Sequence, residues 1–506
     1  MSVEPGSEGT ETAGWTGRLA PWLLALLAAA LRLPRLDLRP LHHDEGTNVI
    51  FLLRLLREGV YQYDPSNYHG PLLYVVSVVP LFLCGTTTVA LRLAPALLGV
   101  TLAVLPWALR RELGRPGAAA AGVLLATSPS MVYYSRDNIH EIYLVFLTLV
   151  LVAAAVRGTI RGGTALLALA GAAAGGMIAT KETACLTFLS IALGLVLSRG
   201  AGLPRPGRAA ATAFVGVAAL VAVAFYSDLF TEPAALLRPI EALRLWGARG
   251  VRADGHGKPW WYYASILGRE EPVIAILAAS GALVALRARD RFATFLAVWS
   301  GATLAGYSLI PYKTPWLILD PILPLALLGG TAIAAACRSA LPAVARGSPD
   351  PRRRLVALAL ALGAVFAAHR AYLVSFVRYD DDRASPLVYV QTRRDVKRLM
   401  DRIEAFARGR REGLAVPVEI LSPDYLPLNW YLRDFTDVSY YGKVIERPAA
   451  PVVIARVDSA DEVEGLLGPG YTRQNYRLRP GVDLCLFLLE EEEAPGTPEG
   501  PDDGRL

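Results

Sequence analysis

The feature that most constrains this chain is a succession of apolar runs closed by arginines. Apolar stretches occupy residues 20–33, 89–109, 117–134, 139–156, 164–180, 183–197, 209–226, 272–286, 292–310, 315–336 and 355–368. Such a run offers water no polar face. Eleven of them dictate helices inside a bilayer, where each backbone group must bond within its own segment. Several are shorter than the ~20 residues a span usually needs, so their ends are read to within a few residues. Composition agrees: 53% of residues are hydrophobic and 19% charged, against about 25% charged in a soluble globule. That excludes a disordered chain, a disulfide-rich secreted domain and a cytosolic enzyme. The four scattered cysteines form no CxxC pair, so neither a metal site nor a disulfide framework is read from them. The net charge of +6 is carried at span ends, and no nucleic-acid partner is expected.

Charge also sets the expected topology. Residues 71–84, PLLYVVSVVPLFLC, are short for a span and carry a central proline, which favours a re-entrant or interfacial helix. If this segment does not cross and the N-terminus is cytoplasmic, the clusters Arg110/Arg111/Arg115, Arg157/Arg161, Arg199/Arg205/Arg208, Arg287/Arg289/Arg291 and Arg338/Arg346/Arg352/Arg353/Arg354 all lie in the cytoplasm, as the positive-inside bias requires. A crossing would put every one of them outside. The expected protein is an α-helical polytopic membrane protein of about 11 spans plus a re-entrant or interfacial helix, in the plasma membrane, with its C-terminal part extracytoplasmic. A twelfth span at 71–84 is the rival.

From residue 380 the patterning changes. Short strands are expected at 387–391, 418–421, 452–457, 476–478 and 483–489, an amphipathic helix at 393–407, and a helix at 460–467 capped by Ser459. The expected organisation is a disordered 1–17, a transmembrane 18–379, a small α/β domain at 380–489 and a disordered acidic tail at 490–506.

The ionisable residues left over fall in the predicted outer loops. Unpaired charge beside lipid is costly, so such residues either anchor helix ends or mark a site. Asp44 and Glu45 adjoin in the first loop. Asp44 caps a helix at 45–58, or takes a proton or binds a cation through oxygen, and these roles are compatible. His69 opens the segment 71–84, where it contacts a phosphate or sugar oxygen or sits at the interface. Asp137 and Glu141 are four apart and share a helix face, and Arg136 suits either acid or a phosphate. Lys181 and Glu182 mark a tight hairpin. PYKTPW at 311–316 holds Lys313 between prolines and aromatics, at the level where a lipid phosphate lies. Trp260 and Tyr262 belong to a run of four aromatics that stacks on sugars or anchors at the interface.

In this order, DE (Asp44, Glu45), HGP (69–71) and RD (Arg136, Asp137) resemble the GT-C membrane glycosyltransferases, the clan of protein O-mannosyltransferases and the lipid A aminoarabinose transferase. KET (181–183), PYKTPW and NWYLRD (429–434) resemble more closely a prokaryotic family of flippase activity-associated proteins linked to N-glycosylation genes. The resemblance implies a GT-C-like fold and a polyprenyl-phosphate-linked sugar donor. It implies transfer to a lipid, glycan or protein acceptor at the outer membrane face. Asp44, with Glu45, matches the clan's general base or metal ligand, and Asp137 its second-loop acid, with Mg or Mn as the candidate cation. Lys313, Arg136, Lys181 and His69 are then expected on the donor phosphate, and Glu141, Glu182, Trp260 and Tyr262 on sugar or acceptor. The alternative is a non-catalytic flippase or flippase accessory that binds the same lipid.

Overall fold

The structure, a computed structural model, describes residues 15–252, 255–339 and 351–490. Of the expected disorder at 1–17 and 490–506, residues 1–14 and 491–506 lie outside the described residues, as does Arg346, while 15–17 already belong to helix Trp15–Arg32. The chain is mostly helical and forms two compact units. Among the described residues one comprises 15–39 and 50–389, and the other comprises 40–49 and 390–490.

In the helical unit the expected apolar segments are helical, except that 117–134 breaks at Ser128 into two helices, Arg115–Thr127 and Pro129–Tyr134. Among the described residues six helices are long and apolar enough to cross a membrane, including His140–Arg161, Arg291–Leu309 and Pro315–Arg338. A further pair, Tyr262–Glu270 and Pro272–Ala288, is bent by 108°. The chain is a multi-pass membrane protein. The segment read as re-entrant is the 13-residue helix Leu72–Cys84. Helix ends are closed locally: Thr87 accepts from Ala90 N at 3.1 Å and Asp290 from Ala293 N at 2.9 Å, each satisfying an amide that the helix leaves orphaned. Lipid supplies no hydrophobic drive between helices, so close backbone approach does the packing. Gly171 and Gly175, four apart on Thr164–Ile178, lie against helix Arg208–Tyr226, and a Cβ at either would stand 2.3 and 2.4 Å from the carbonyls of Phe214 and Ala218.

The loop read as a single outer connection after residue 226 contains an amphipathic helix, Arg238–Arg252. It exposes Ile240, Leu243 and Leu245. Lysine-poor and arginine-rich, it suits the interface more than water. Its arginines, glycines and lone glutamate hide the apolar stripe from a search for long apolar runs.

The second unit is a five-stranded sheet, β1 (Val418–Ile420), β2 (Val438–Tyr440), β3 (Val452–Arg456), β4 (Tyr471–Arg479) and β5 (Val482–Leu489), in the order β2-β1-β3-β5-β4. The first three are parallel, and β5 and β4 are antiparallel. Both faces are covered, which is why β3 and β5 read as continuous apolar runs. Val452, Ile454, Leu484 and Leu486 pack on helix Asp395–Arg408 through Val396, Leu399 and Ile403. Val453, Ala455, Cys485 and Phe487 pack on Ala460–Leu467.

Two expectations fail locally, and one strand went unforeseen. Residues 387–391 form no strand, because Val390 takes φ +52° and the chain turns there. Ser459 does not cap its helix; its hydroxyl donates back to Arg456 O at 3.2 Å. β2 was not foreseen, since three residues leave no readable alternation.

Candidate active site

Candidate residues occur in both units. In the helical unit, residues 135–139 join helix Pro129–Tyr134 to His140–Arg161, whose first turn carries Glu141. Arg136 Nη1 donates to the carbonyls of Arg32 and Pro34 at 2.7 and 2.8 Å, and Nη2 to Arg35 at 2.9 Å. Its guanidinium lies over the Phe376 ring at 4.3 Å. The last carbonyls of a helix need partners, and Arg136 supplies them to the first helix. Burial, with Arg39 and Arg92 close by, pushes it down to about 9, so it stays a cation. Asp137 pairs with Arg39 in a short contact and lies 3.7 Å from Arg92. Arg92 also holds the carbonyls of Leu36 and Arg39 at 2.8 Å each.

A second knot joins two turns. Gly70 N donates to Thr180 O at 3.1 Å and Leu72 N to Ala179 O at 2.9 Å, so HGP lies on the KET turn. Only glycine fits at 70, where a Cβ would stand 2.1 Å from Ala179 O. Glu141 and Lys181 form a short, buried ion pair. Burial opposes the charge on Lys181, but Glu141 and Glu182 outweigh it and raise its pKa. His69 Nδ1 lies 3.0 Å from Glu182 Oε2 and donates to it, since an ionised carboxylate only accepts. Burial works against the Glu182 charge too, and His69 and Lys181 still hold this carboxyl below its usual range. The His69 ring packs 4.5 Å from that of His140.

Lys313 lies in an antiparallel clasp. Gly257 bridges Tyr312, Lys313 N donates to His256 O at 3.1 Å, and Lys258 N donates to Pro311 O at 3.3 Å. Aromatics surround it: His256 packs on Tyr312 and bonds the Tyr389 hydroxyl at 2.9 Å, while the Lys258 ammonium sits 5.4 Å above the Tyr389 ring. Lys313 is 2% exposed. Its ammonium donates to Ile310 O in a short contact, and burial pushes its pKa down. Trp260 is exposed, beside Trp261, and Tyr262 is half-buried.

In the second unit, residues 40–49 dock on the loop after β1. Leu41 N donates to the Tyr431 hydroxyl at 2.9 Å, Asn429 to Gly46 O at 2.8 Å, and Gln391 to Pro40 O at 3.0 Å. The capping role falls to Glu45, not Asp44. The fully buried Glu45 carboxylate accepts from His42 N at 2.8 Å, the reach-back half of a capping box. That leaves the Asp44 side chain 42% exposed, with His42 Nδ1 3.9 Å away. Beside it, burial and Arg479 press the His43 imidazole down to about 4, against the opposing pull of Asp44, so His43 is neutral near pH 7.

Several contributors escaped the sequence reading. Arg39 and Arg92 look like ordinary span-end arginines. Lys258 stands just ahead of the aromatic run and carries no motif of its own. Asp320, hydrogen-bonded by the Tyr307 hydroxyl at 2.8 Å, is buried in an apolar helix, and that was the signal for it. Among the described residues no three His, Cys, Asp or Glu side chains converge as metal ligands. Asp137, balanced by two arginines, does not fit the cation role expected of it.

Residues 69–227 match the model of the dolichyl-phosphate-mannose-protein mannosyltransferase family. This stretch runs from His69 through the Arg136, Glu141 and Lys181 turns. ArnT from Cupriavidus metallidurans bound to undecaprenyl phosphate superposes with a TM-score of 0.66, covering 93% of this chain and 98% of that one at 17% identity. The fold is of the GT-C type. The oligosaccharyltransferase of Archaeoglobus fulgidus superposes with a TM-score of 0.56 over 86% of this chain and 65% of that one, at 13% identity. The undecaprenyl phosphate-alpha-4-amino-4-deoxy-L-arabinose arabinosyl transferase of Pseudomonas aeruginosa is 38% identical over 112 residues, 21% of this chain. The matched region spans about a fifth of that relative's length, 20%. The knot of Glu141, Lys181, Glu182 and His69 lies inside the family-matched segment of this chain, while Asp44 and Lys313 lie outside it.

Proposed function

We propose that this protein is a membrane glycosyltransferase that moves a sugar from a polyprenyl-phosphate carrier to a lipid, glycan or protein acceptor. The observation that carries the reading is the state of its acids. Asp137, Glu141 and Glu182 are each held by cations, and Glu45 caps a helix. Asp44 alone of the candidate acids keeps an exposed carboxylate. In the proposed reaction Asp44 accepts the proton of an acceptor hydroxyl as its oxygen bonds the anomeric carbon. The bond from that carbon to the phosphate oxygen breaks, and its electron pair leaves with the lipid phosphate.

Lys313 and Lys258 are proposed as the counter-charge for that phosphate. The Lys313 ammonium can donate three hydrogen bonds. A buried cation without an acidic partner is costly, and a phosphate would offset that cost. Arg136 and Lys181, spent on carbonyls and on Glu141, are given structural roles in this scheme. A non-catalytic flippase accessory would use the same lysines but leaves Asp44 without a task. The relatives' names and the ArnT complex with undecaprenyl phosphate also favour transfer.

The test is the purified protein with radiolabelled polyprenyl-phosphate sugars and membrane acceptors. Label that never leaves the lipid across a panel of sugars would defeat the reading. Lys313→Ala is expected to weaken donor binding by about 10–100-fold, the worth of a charge-assisted hydrogen bond. Lys313→Arg should restore it only in part, because a planar fork must enter a space built for a point charge. Wild-type donor affinity in both variants would remove Lys313 from the site.

The orientation proposed with this function has the N-terminus cytoplasmic and the C-terminal unit outside. In a variant without native cysteines, Arg411→Cys, an exposed position, should react with an impermeant thiol reagent applied to intact cells. Labelling confined to inverted vesicles reverses the topology.

A further inference from the structure

At the arginine-bearing end of the helical unit lies an open cavity of about 520 Å³ lined by Arg110, Arg111, Arg115 and Pro116. It forms where the 3₁₀ turn Leu105–Leu109 hands over to helix Arg115–Thr127. Leu109 and Leu113 are buried and pin the linker from beneath. Gly114, at φ +74°, turns the chain so that Arg115 joins Arg110 and Arg111 on one cavity wall. The end of helix His140–Arg161 adds two more arginines. Arg157 Nη1 donates to Ala108 O at 3.1 Å and feels the charges of Arg161, Arg110, Arg111 and Glu112. Arg338 reaches the same turn, its Nη1 4.0 Å from where a Cβ on Gly114 would stand.

Against these arginines stands Glu112, one of whose carboxylate oxygens is buried without a hydrogen-bond partner. Orienting a membrane protein needs arginines only somewhere in the loop. It does not need them gathered around one cavity, where like charges repel. An anion held in the cavity would relieve that repulsion. The cavity sits where apolar helices end, which is headgroup level. Guanidinium forks match phosphate oxygens two at a time.

We propose that this cavity binds the headgroup of an acidic phospholipid, its phosphates held by Arg110, Arg111 and Arg115. The site is independent of the transfer reaction. Basic pockets between helix ends suit a lipid carrying two phosphates, so cardiolipin is the probe. The test follows the apparent Tm of the purified full chain in neutral detergent, titrated with cardiolipin, phosphatidylcholine or inorganic pyrophosphate. Cardiolipin is expected to raise Tm saturably and phosphatidylcholine to leave it unchanged. Arg111→Gln/Arg115→Gln, at two exposed positions, should shift the cardiolipin midpoint about 30-fold higher. Arg111→Lys/Arg115→Lys, which keeps the charge and guards against a folding defect, should shift it less. A wild-type midpoint in both variants overturns the proposal, and so does pyrophosphate matching cardiolipin at equal phosphate concentration.

Discussion

Asp44→Asn is expected to lower sugar transfer by about 10²–10⁴-fold, the worth of a general base, while leaving the apparent Tm unchanged. The amide keeps the shape of the carboxylate but cannot take a proton. Stability should not move, because the helix start is closed by Glu45 and the Asp44 side chain stands 42% exposed. Glu45→Ala is the complementary variant. It removes the acceptor for His42 N and should cost about 1 kcal/mol of stability, as lost caps do. Transfer rate and melting measured on both variants separate the roles. Full transfer by Asp44→Asn would end the proposal that Asp44 is the base, and a melting loss as large as that of Glu45→Ala would return it to the cap.

The largest stability effect is expected at Lys181. Both members of the Glu141–Lys181 pair are buried, so Lys181→Met strands a carboxylate out of water. Breaking one partner of a buried pair costs about 3–5 kcal/mol, whereas replacing both by apolar groups is often close to neutral. The double variant Lys181→Met/Glu141→Leu should therefore recover most of the stability lost by the single one. Melting of the two proteins in the same detergent checks this. A double variant as fragile as Lys181→Met would mean that the KET turn needs the lysine for something other than balancing Glu141.

The helical unit was legible because lipid permits few alternatives. An apolar run that must satisfy its own backbone is a helix, and Leu72–Cys84 was recognisable by its shortness. The pairing within the site was not legible. Nothing local says that His69 meets Glu182 across 113 positions, or that Asp137 is balanced by Arg39 and Arg92. Glu45 and Asp44 are equally plausible caps in sequence, and only the reach back to His42 N distinguishes them. Helix Arg238–Arg252 was hidden for the opposite reason, since its apolar stripe is interrupted by charge at every turn. The segment 40–49 was assigned with the helices around it, yet it packs with residues 426–431.

That last contact sets a schedule for biosynthesis. Gly46 and the side chain of Asn429, which donates to its carbonyl, are 383 positions apart in the chain. A ribosome adding about 5–20 residues per second needs roughly 20–80 s to cover that interval. For all that time the turn bearing Asp44 has been made but lacks the surface that holds it. The proposed base is thus synthesised well before the surface that fixes it in place. A nascent chain released early would carry its apolar helices and its lysines without an assembled carboxylate.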